Sequence, residues 1–151
     1  MKRTQITKFN LSDKIILITG ASRGIGRALS LECAKNGAHV IITGRTIGAL
    51  EELDDEIKDV GGKSTIVELD QQDYAAFPRL SLSILERWGR LDGFVANAAQ
   101  LGQLSPMSHI DEKIWEQTIN VNLNSIWYQV KVFEKLLQNS KNGRAILVSS
   151  G

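Results

Sequence analysis

The sequence is short of cysteine, proline, net charge and long apolar runs, and each shortage closes off a class of protein. One cysteine, Cys33, among 151 residues rules out an internal disulfide, and this usage fits a reducing compartment. Cys33 falls in an apolar helical pattern, where a thiol packs as a small hydrophobe. The only prolines are Pro78 and Pro106, and no repeat, low-complexity tract or Pro/Gly/Ser-rich linker divides the chain. A net charge of +1 makes no case for nucleic acid or an acidic surface as partner. No apolar run approaches the ~18 residues that span a membrane. The opening MKRTQITKFNLSDK is basic but has no apolar signal core. His39 and His109 have no partner at metal-ligand spacing, so no metal site is expected. Together these features predict a cytoplasmic protein without membrane or nucleic-acid partners.

What is present is an ordinary globular composition, 42% hydrophobic and 23% charged. A chain of this length is most simply one domain and buries roughly 70% of its unfolded surface. Residues 1–12 read as a lead-in and residues 13–151 as the domain. Short apolar runs alternate with longer amphipathic ones. Strands are predicted in KIILIT, HVIITG, KSTIVELD, LDGFVANA and RAILVSS. Helices are predicted between them: GIGRALSLECAKNG, TIGALEELDDEIKDVG, a third from Gln71 to Gly89 made irregular by Pro78, and a long one over 111–139. Trp115 and Trp127 on that last helix read as packing residues. Strands apolar throughout and separated by helices predict an α/β fold, a doubly wound parallel sheet of Rossmann type covered on both faces.

In such sheets ligands sit beyond the carboxyl ends of the strands, so function is sought at Thr19–Gly26, Gly44-Arg45, Asp70, Asn97–Ala99 and Ser149-Ser150. TGASRGIG joins the first strand to the first helix, with glycines at 20, 24 and 26. Glycine there permits a tight turn, lets backbone N–H groups approach a pyrophosphate, and opens a helix whose N-terminus favours anions. The alternative is a tight turn with no ligand. An NAD site offers an acid near the end of the second strand for the ribose 2′-hydroxyl; here that place reads Gly44-Arg45, with Arg23 in the glycine-rich turn. Two guanidinium groups suit a phosphate and favour NADP(H) over NAD(H), unless Arg45 instead pairs with Glu51 or Glu52. Asn122 is unfavoured in a helix interior, so its presence asks for a reason; the alternative is a polar helix position facing solvent.

TGASRGIG, Leu69-Asp70, GRLDGFVANAA, INVNLNSIW and GRAILVSS, in this order, resemble the motifs of the short-chain dehydrogenase/reductase family over nearly the whole chain after residue 12. The resemblance implies a strand order of 3-2-1-4-5. It implies a cofactor held by Gly20, Ser22, Arg23, Gly24, Ile25 and Gly26. Arg45 is associated with the NADP phosphate, Asp70 with the adenine amino group, and Asn97 and Ala98 with the strand ends beside the cofactor. Asn122 corresponds to a catalytic asparagine that helps hold a relay water, and Ser150 to the serine that hydrogen-bonds the substrate oxygen. VANAA departs from the family's N-N-A-G at Ala96 and Ala99. Aspartate also caps helices readily, so Asp70 has that role open to it as well.

The family's Y-x-x-x-K motif, expected about a dozen residues after Ser150, is absent. Tyr74 and Tyr128 cannot replace it: Tyr74 has no lysine in place, and Tyr128 has Lys131 three residues on rather than four. The implied activity is hydride transfer between nicotinamide and a small carbonyl or alcohol substrate, with this chain an inactive N-terminal fragment of the enzyme. A non-catalytic dinucleotide-binding module or a remnant is the alternative. A homo-oligomer is left open. The fifth strand is expected as an apolar sheet edge that invites association.

Overall fold

Residues 9–149 are described by the computed structural model. The elements run β1 (Ile15–Ile18), α1 (Gly24–Lys35), β2 (His39–Gly44), α2 (Ile47–Asp59), β3 (Lys63–Glu68), α3 (Ala76–Trp88) and β4 (Gly93–Ala96), then α4 (Glu112–Ile119), α5 (Ser125–Gln138) and β5 (Arg144–Leu147). All pairings are parallel and the strand order is β3-β2-β1-β4-β5. This is the Rossmann-type α/β sheet that the alternating pattern predicts.

Alternation along β1 separates the two cores, because successive side chains of a strand leave opposite faces. Ile15 and Leu17 join Phe77, Ile84, Phe94 and Phe133 beneath α3 and α5. Ile16 and Ile18 join Val40, Ile42, Leu50 and Leu53 beneath α1 and α2. Phe94 meets Phe133 edge-on at 5.2 Å between ring centres. At the amino ends of the strands, the largely buried Asp92 carboxylate accepts from the Ile15 N–H, Arg90 and the Ser140 hydroxyl, which ties β1, β4 and the end of α5 together. Cys33 is buried, as its apolar pattern implies.

Four local expectations are corrected. The third helix begins at Ala76, not Gln71, because the Asp70 carboxylate accepts the Gln72 N–H and Asp73 N–H bonds back to the Asp70 carbonyl; a turn of this kind competes with helix. Pro78 makes no irregularity, since it lies in the first turn of α3, where an N–H has no helical partner to lose. The long helix is not continuous: a π-turn over Asn120–Asn124 separates α4 from α5. Trp115 and Trp127 are not packing residues but are 49% and 57% exposed. The expected apolar edge is present: β5 pairs only with β4 among the described residues, and Ile146 and Leu147 are more than half exposed. Met1–Lys8 of the lead-in, Ser150 and Gly151 lie outside the described residues.

Candidate functional site

The carboxyl ends of β1, β2, β3 and β4 open into one cleft of about 700 Å³. Gly20, Ser22, Arg23, Gly24 and Ile25 form one wall; Arg45 and Asp70 lie along the β2 and β3 ends; Asn97 and Ala98 stand at the β4 end. Gly26, buried, lies just behind the wall. Asn122 sits behind Gln100, which lines the cleft. The structure therefore brings together every sequence-predicted site residue that it describes.

The glycine-rich turn is shaped by close approach. Gly20 has φ +64°, and a Cβ there would stand 2.8 Å from the Ala98 Cα. A Cβ on Gly26 would run into the Gly20 carbonyl and the Asn97 amide. Those two bare positions let the start of α1 sit directly against β1 and β4. Gly24, at φ +57°, faces open space. No side chain caps α1, and its first turn carries no acidic residue. Its N-terminal N–H groups and partial positive charge therefore remain available to an anion in the cleft.

A short network holds the floor. Thr19, 1% exposed, accepts the Asn97 and Ala98 N–H groups on its hydroxyl, each at 3.0 Å. Asn97 Nδ2 donates to the carbonyls of Thr19 at 3.0 Å and Gly20 at 3.2 Å. The reason for a mid-helix Asn122 is similar. Its Oδ1 accepts the Gln100 N–H at 2.9 Å and its Nδ2 donates to the Gln100 carbonyl at 2.8 Å. The π-turn that carries Asn122 is pinned in turn: the Ser125 hydroxyl donates to the Val121 carbonyl, and the Tyr74 hydroxyl to the Asn120 carbonyl. Such one-turn widenings are frequent at functional sites. Burial, then the neighbouring Tyr128, pushes the Tyr74 phenol up.

Arg23 and Arg45 stand exposed on the cleft rim. Neither guanidinium forms an ion pair or side-chain hydrogen bond among the described residues, and Arg45 does not pair with Glu51 or Glu52. Among the described residues Asp70 is the one acidic residue lining the cleft. Its Oδ1 takes the Gln72 N–H, a turn contact and not a helix cap. Chemically, the cleft offers backbone donors and a helix start that suit an anion, two cations on its rim, and a carboxylate acceptor beyond them. Among the described residues no cluster of metal-ligating side chains occurs, and no helix is long and apolar enough to cross a membrane.

Sequence reasoning missed Gln71, Gln100 and Val121 as cleft residues, and Thr19 as the acceptor for two backbone N–H groups. A hydroxyl closing an apolar strand just before a glycine was the available signal for Thr19. Nothing local marked Gln71, because its burial depends on a residue fifty-eight positions away.

A family model described as short chain dehydrogenase matches residues 14–151. The chain is 35% identical over 138 residues to a 3beta-hydroxysteroid dehydrogenase of Mediterraneibacter gnavus, covering 91% of this chain and 50% of that protein. It is 31% identical to a sepiapterin reductase of Chlorobaculum tepidum, covering 90% of this chain and 58% of that one. The chain thus spans about half the length of the curated relatives it matches. A short chain dehydrogenase of Escherichia coli solved in complex with NADPH superimposes with a TM-score of 0.90 at 34% identity, over 95% of this chain and 61% of that one. A Shigella flexneri short chain dehydrogenase complexed with NADP gives 0.88 at 32%, over 92% and 59%.

Proposed function

The chain belongs to the short chain dehydrogenase family, and from that premise we propose that residues 13–151 are an NADP(H)-binding unit of an oxidoreductase acting on a small carbonyl or alcohol substrate. The observation that carries the cofactor choice is the β2 end. Gly44 stands where a carboxylate would select a ribose hydroxyl, and Arg45 and Arg23 present unpaired guanidinium groups beside it. A 2′-phosphate accepts bidentate hydrogen bonds from such groups.

The fit rests on the cradle itself. The space kept clear by Gly20 and Gly26 and the uncapped start of α1 suit a pyrophosphate, and Asp70 suits the adenine amino group. When bound, the nicotinamide supplies or accepts the hydride. The chain's own residues bind, orient and hold. Thr19 and Asn97 lock the two strand ends into one rigid floor, and Asn122 fixes the Gln100 backbone at its far side. Ser150 is assigned the hydrogen bond to the substrate oxygen, and Asn122 a place in the proton path. The general acid or base is not assigned to any residue here, since neither tyrosine has a lysine at the required spacing. Binding without appreciable turnover is expected of these residues alone, because losing a general acid or base costs on the order of 10²- to 10⁴-fold. A reducing, cytoplasmic setting is part of this proposal, on the sequence's sparing use of cysteine.

Isothermal titration of the purified chain with NADPH and NADH tests the reading. NADPH is expected to bind at least about tenfold tighter, as one charge-assisted contact implies. Equal affinity would remove the NADP(H) assignment, and binding of neither would remove the dinucleotide reading.

A further inference from the structure

Beneath the adenine end of the cleft lies a buried pair of amides that the cradle does not use. Gln71 is 6% exposed and Gln129, on α5, is 1% exposed. Gln129 Nε2 donates to Gln71 Oε1 at 2.7 Å and to the Ser125 carbonyl at 3.1 Å. A carbonyl only accepts, so the Ser125 contact fixes which way the Gln129 amide faces. Gln71 must then present its oxygen to Gln129. Both Gln129 protons are used, while its Oε1 is sealed from solvent with no partner. A buried acceptor left unpaired is unfavourable, and leucine would fill the position without that cost. The arrangement asks for a compensating role.

The role is visible at the other end of the pair. With its oxygen held by Gln129, Gln71 has its Nε2 left for a further partner. That nitrogen bonds to no described residue and is not among the sealed polar atoms, and Gln71 lines the cleft next to Asp70. A carboxylate acceptor and an amide donor therefore stand side by side. The hydrogen-bonding edge of adenine offers the complementary order, an amino donor beside a ring-nitrogen acceptor; hypoxanthine reverses both.

We propose that Gln129 is a positioning residue that fixes the Gln71 amide as a donor to the adenine ring, so that Asp70 and Gln71 together select adenine in the dinucleotide. This rests on the cleft binding NADP(H), as argued above.

The test compares wild type, Gln129→Leu and the double variant Gln71→Leu/Gln129→Leu, measuring thermal midpoint and affinity for NADPH and for its deaminated hypoxanthine analogue. Gln129→Leu strands the Gln71 oxygen, so both the midpoint and NADPH affinity should fall, the affinity about tenfold. Removing both partners is close to neutral for stability, so the double variant should regain most of the midpoint. It should nevertheless bind NADPH about tenfold more weakly than wild type, and its preference for NADPH over the hypoxanthine analogue should shrink by a similar factor. A double variant that regains both stability and wild-type NADPH affinity would overturn the proposal, because the pair would then be structural only. Unchanged base preference would overturn it as well. If Gln129→Leu does not fold, Gln71→Leu alone reads the same loss of affinity and preference. Wild type that binds adenine and hypoxanthine forms equally removes this inference and leaves the NADP(H) reading standing; wild type that binds neither removes both.

Discussion

Replacing Gly44 by aspartate probes the cofactor assignment through a single added carboxylate. The site has room for the first atom of the new side chain: a Cβ at Gly44 would meet Leu50 Cδ2 and Ser22 Cβ at 3.6 Å, an ordinary contact. Gly44 is not among the positive-φ glycines, so no strain is added. A variant that keeps its thermal midpoint but loses NADPH binding has then lost it through charge and not through collapse of the turn. The carboxylate would stand beside the rim formed by Arg23 and Arg45. A 2′-phosphate about 6 Å from it, at an effective dielectric between protein and water, is repelled by about 2 kcal/mol. That is roughly thirtyfold in affinity. NADH has no such phosphate and gains an acceptor for its ribose hydroxyls, a charge-assisted bond contributing about 1.5 kcal/mol. The two effects together, about 3.5 kcal/mol, predict a preference swing from NADPH toward NADH of roughly 400-fold. Titration calorimetry of both cofactors against wild type and Gly44→Asp, with a thermal melt to establish folding, is the assay. A folded Gly44→Asp protein that binds NADPH as tightly as wild type would refute the placement of the 2′-phosphate at this rim.

Two further substitutions test the frame of the site. Gly26→Ala drives a methyl into the Gly20 carbonyl and the Asn97 amide, so it should lower stability by about 1–3 kcal/mol and weaken cofactor binding; Gly24→Ala, which meets nothing, should cost only the ~1–2 kcal/mol of a left-handed alanine, and denaturant melts of the two separate steric contact from backbone strain. Asp92 gives a pH signature. Burial works to raise its carboxyl, yet the Ser140 hydroxyl, the Ile15 N–H and Arg90 together hold it below the usual carboxylate range. A depressed folded pKa contributes stability that is complete above the unfolded value, near 4, and is lost as pH falls through the folded one. Asp92→Asn should therefore lower the thermal midpoint at pH 7, and the gap to wild type should narrow steadily below about pH 4; a gap independent of pH would contradict the assignment.

Much of this architecture was legible because local signals and tertiary context agree. HVIITG runs apolar between Asn36-Gly37 and Arg45, and β2 occupies those same residues. The glycine-rich turn could be read from its spacing together with its place between the first strand and the first helix; positive φ and close approach at Gly20 and close approach at Gly26 are what leave only glycine there. The strand order came from resemblance and not from periodicity, which says nothing about which strands are neighbours. The π-turn at Asn120–Asn124 was hidden because one widened turn barely disturbs an apolar repeat on either side. Gln129 was invisible for a related reason: a polar residue on an amphipathic helix reads as solvent-facing until a partner from the β3–α3 connection is known. Trp115 and Trp127 misled in the opposite direction, since large aromatics are usually buried and these two are not. The helix start was misplaced at Gln71 because the Asp70 side chain was open to capping as well as turn formation, and the turn won.

The most direct measurement is a crystal structure of the chain grown with saturating NADPH. The account predicts the pyrophosphate against the N–H groups at the start of α1, the 2′-phosphate within hydrogen-bonding distance of Arg23 and Arg45, and the adenine edge facing Asp70 and Gln71. A dinucleotide bound with its 2′-phosphate turned away from both arginines, or a saturated crystal with the nucleotide outside this cleft, would contradict it.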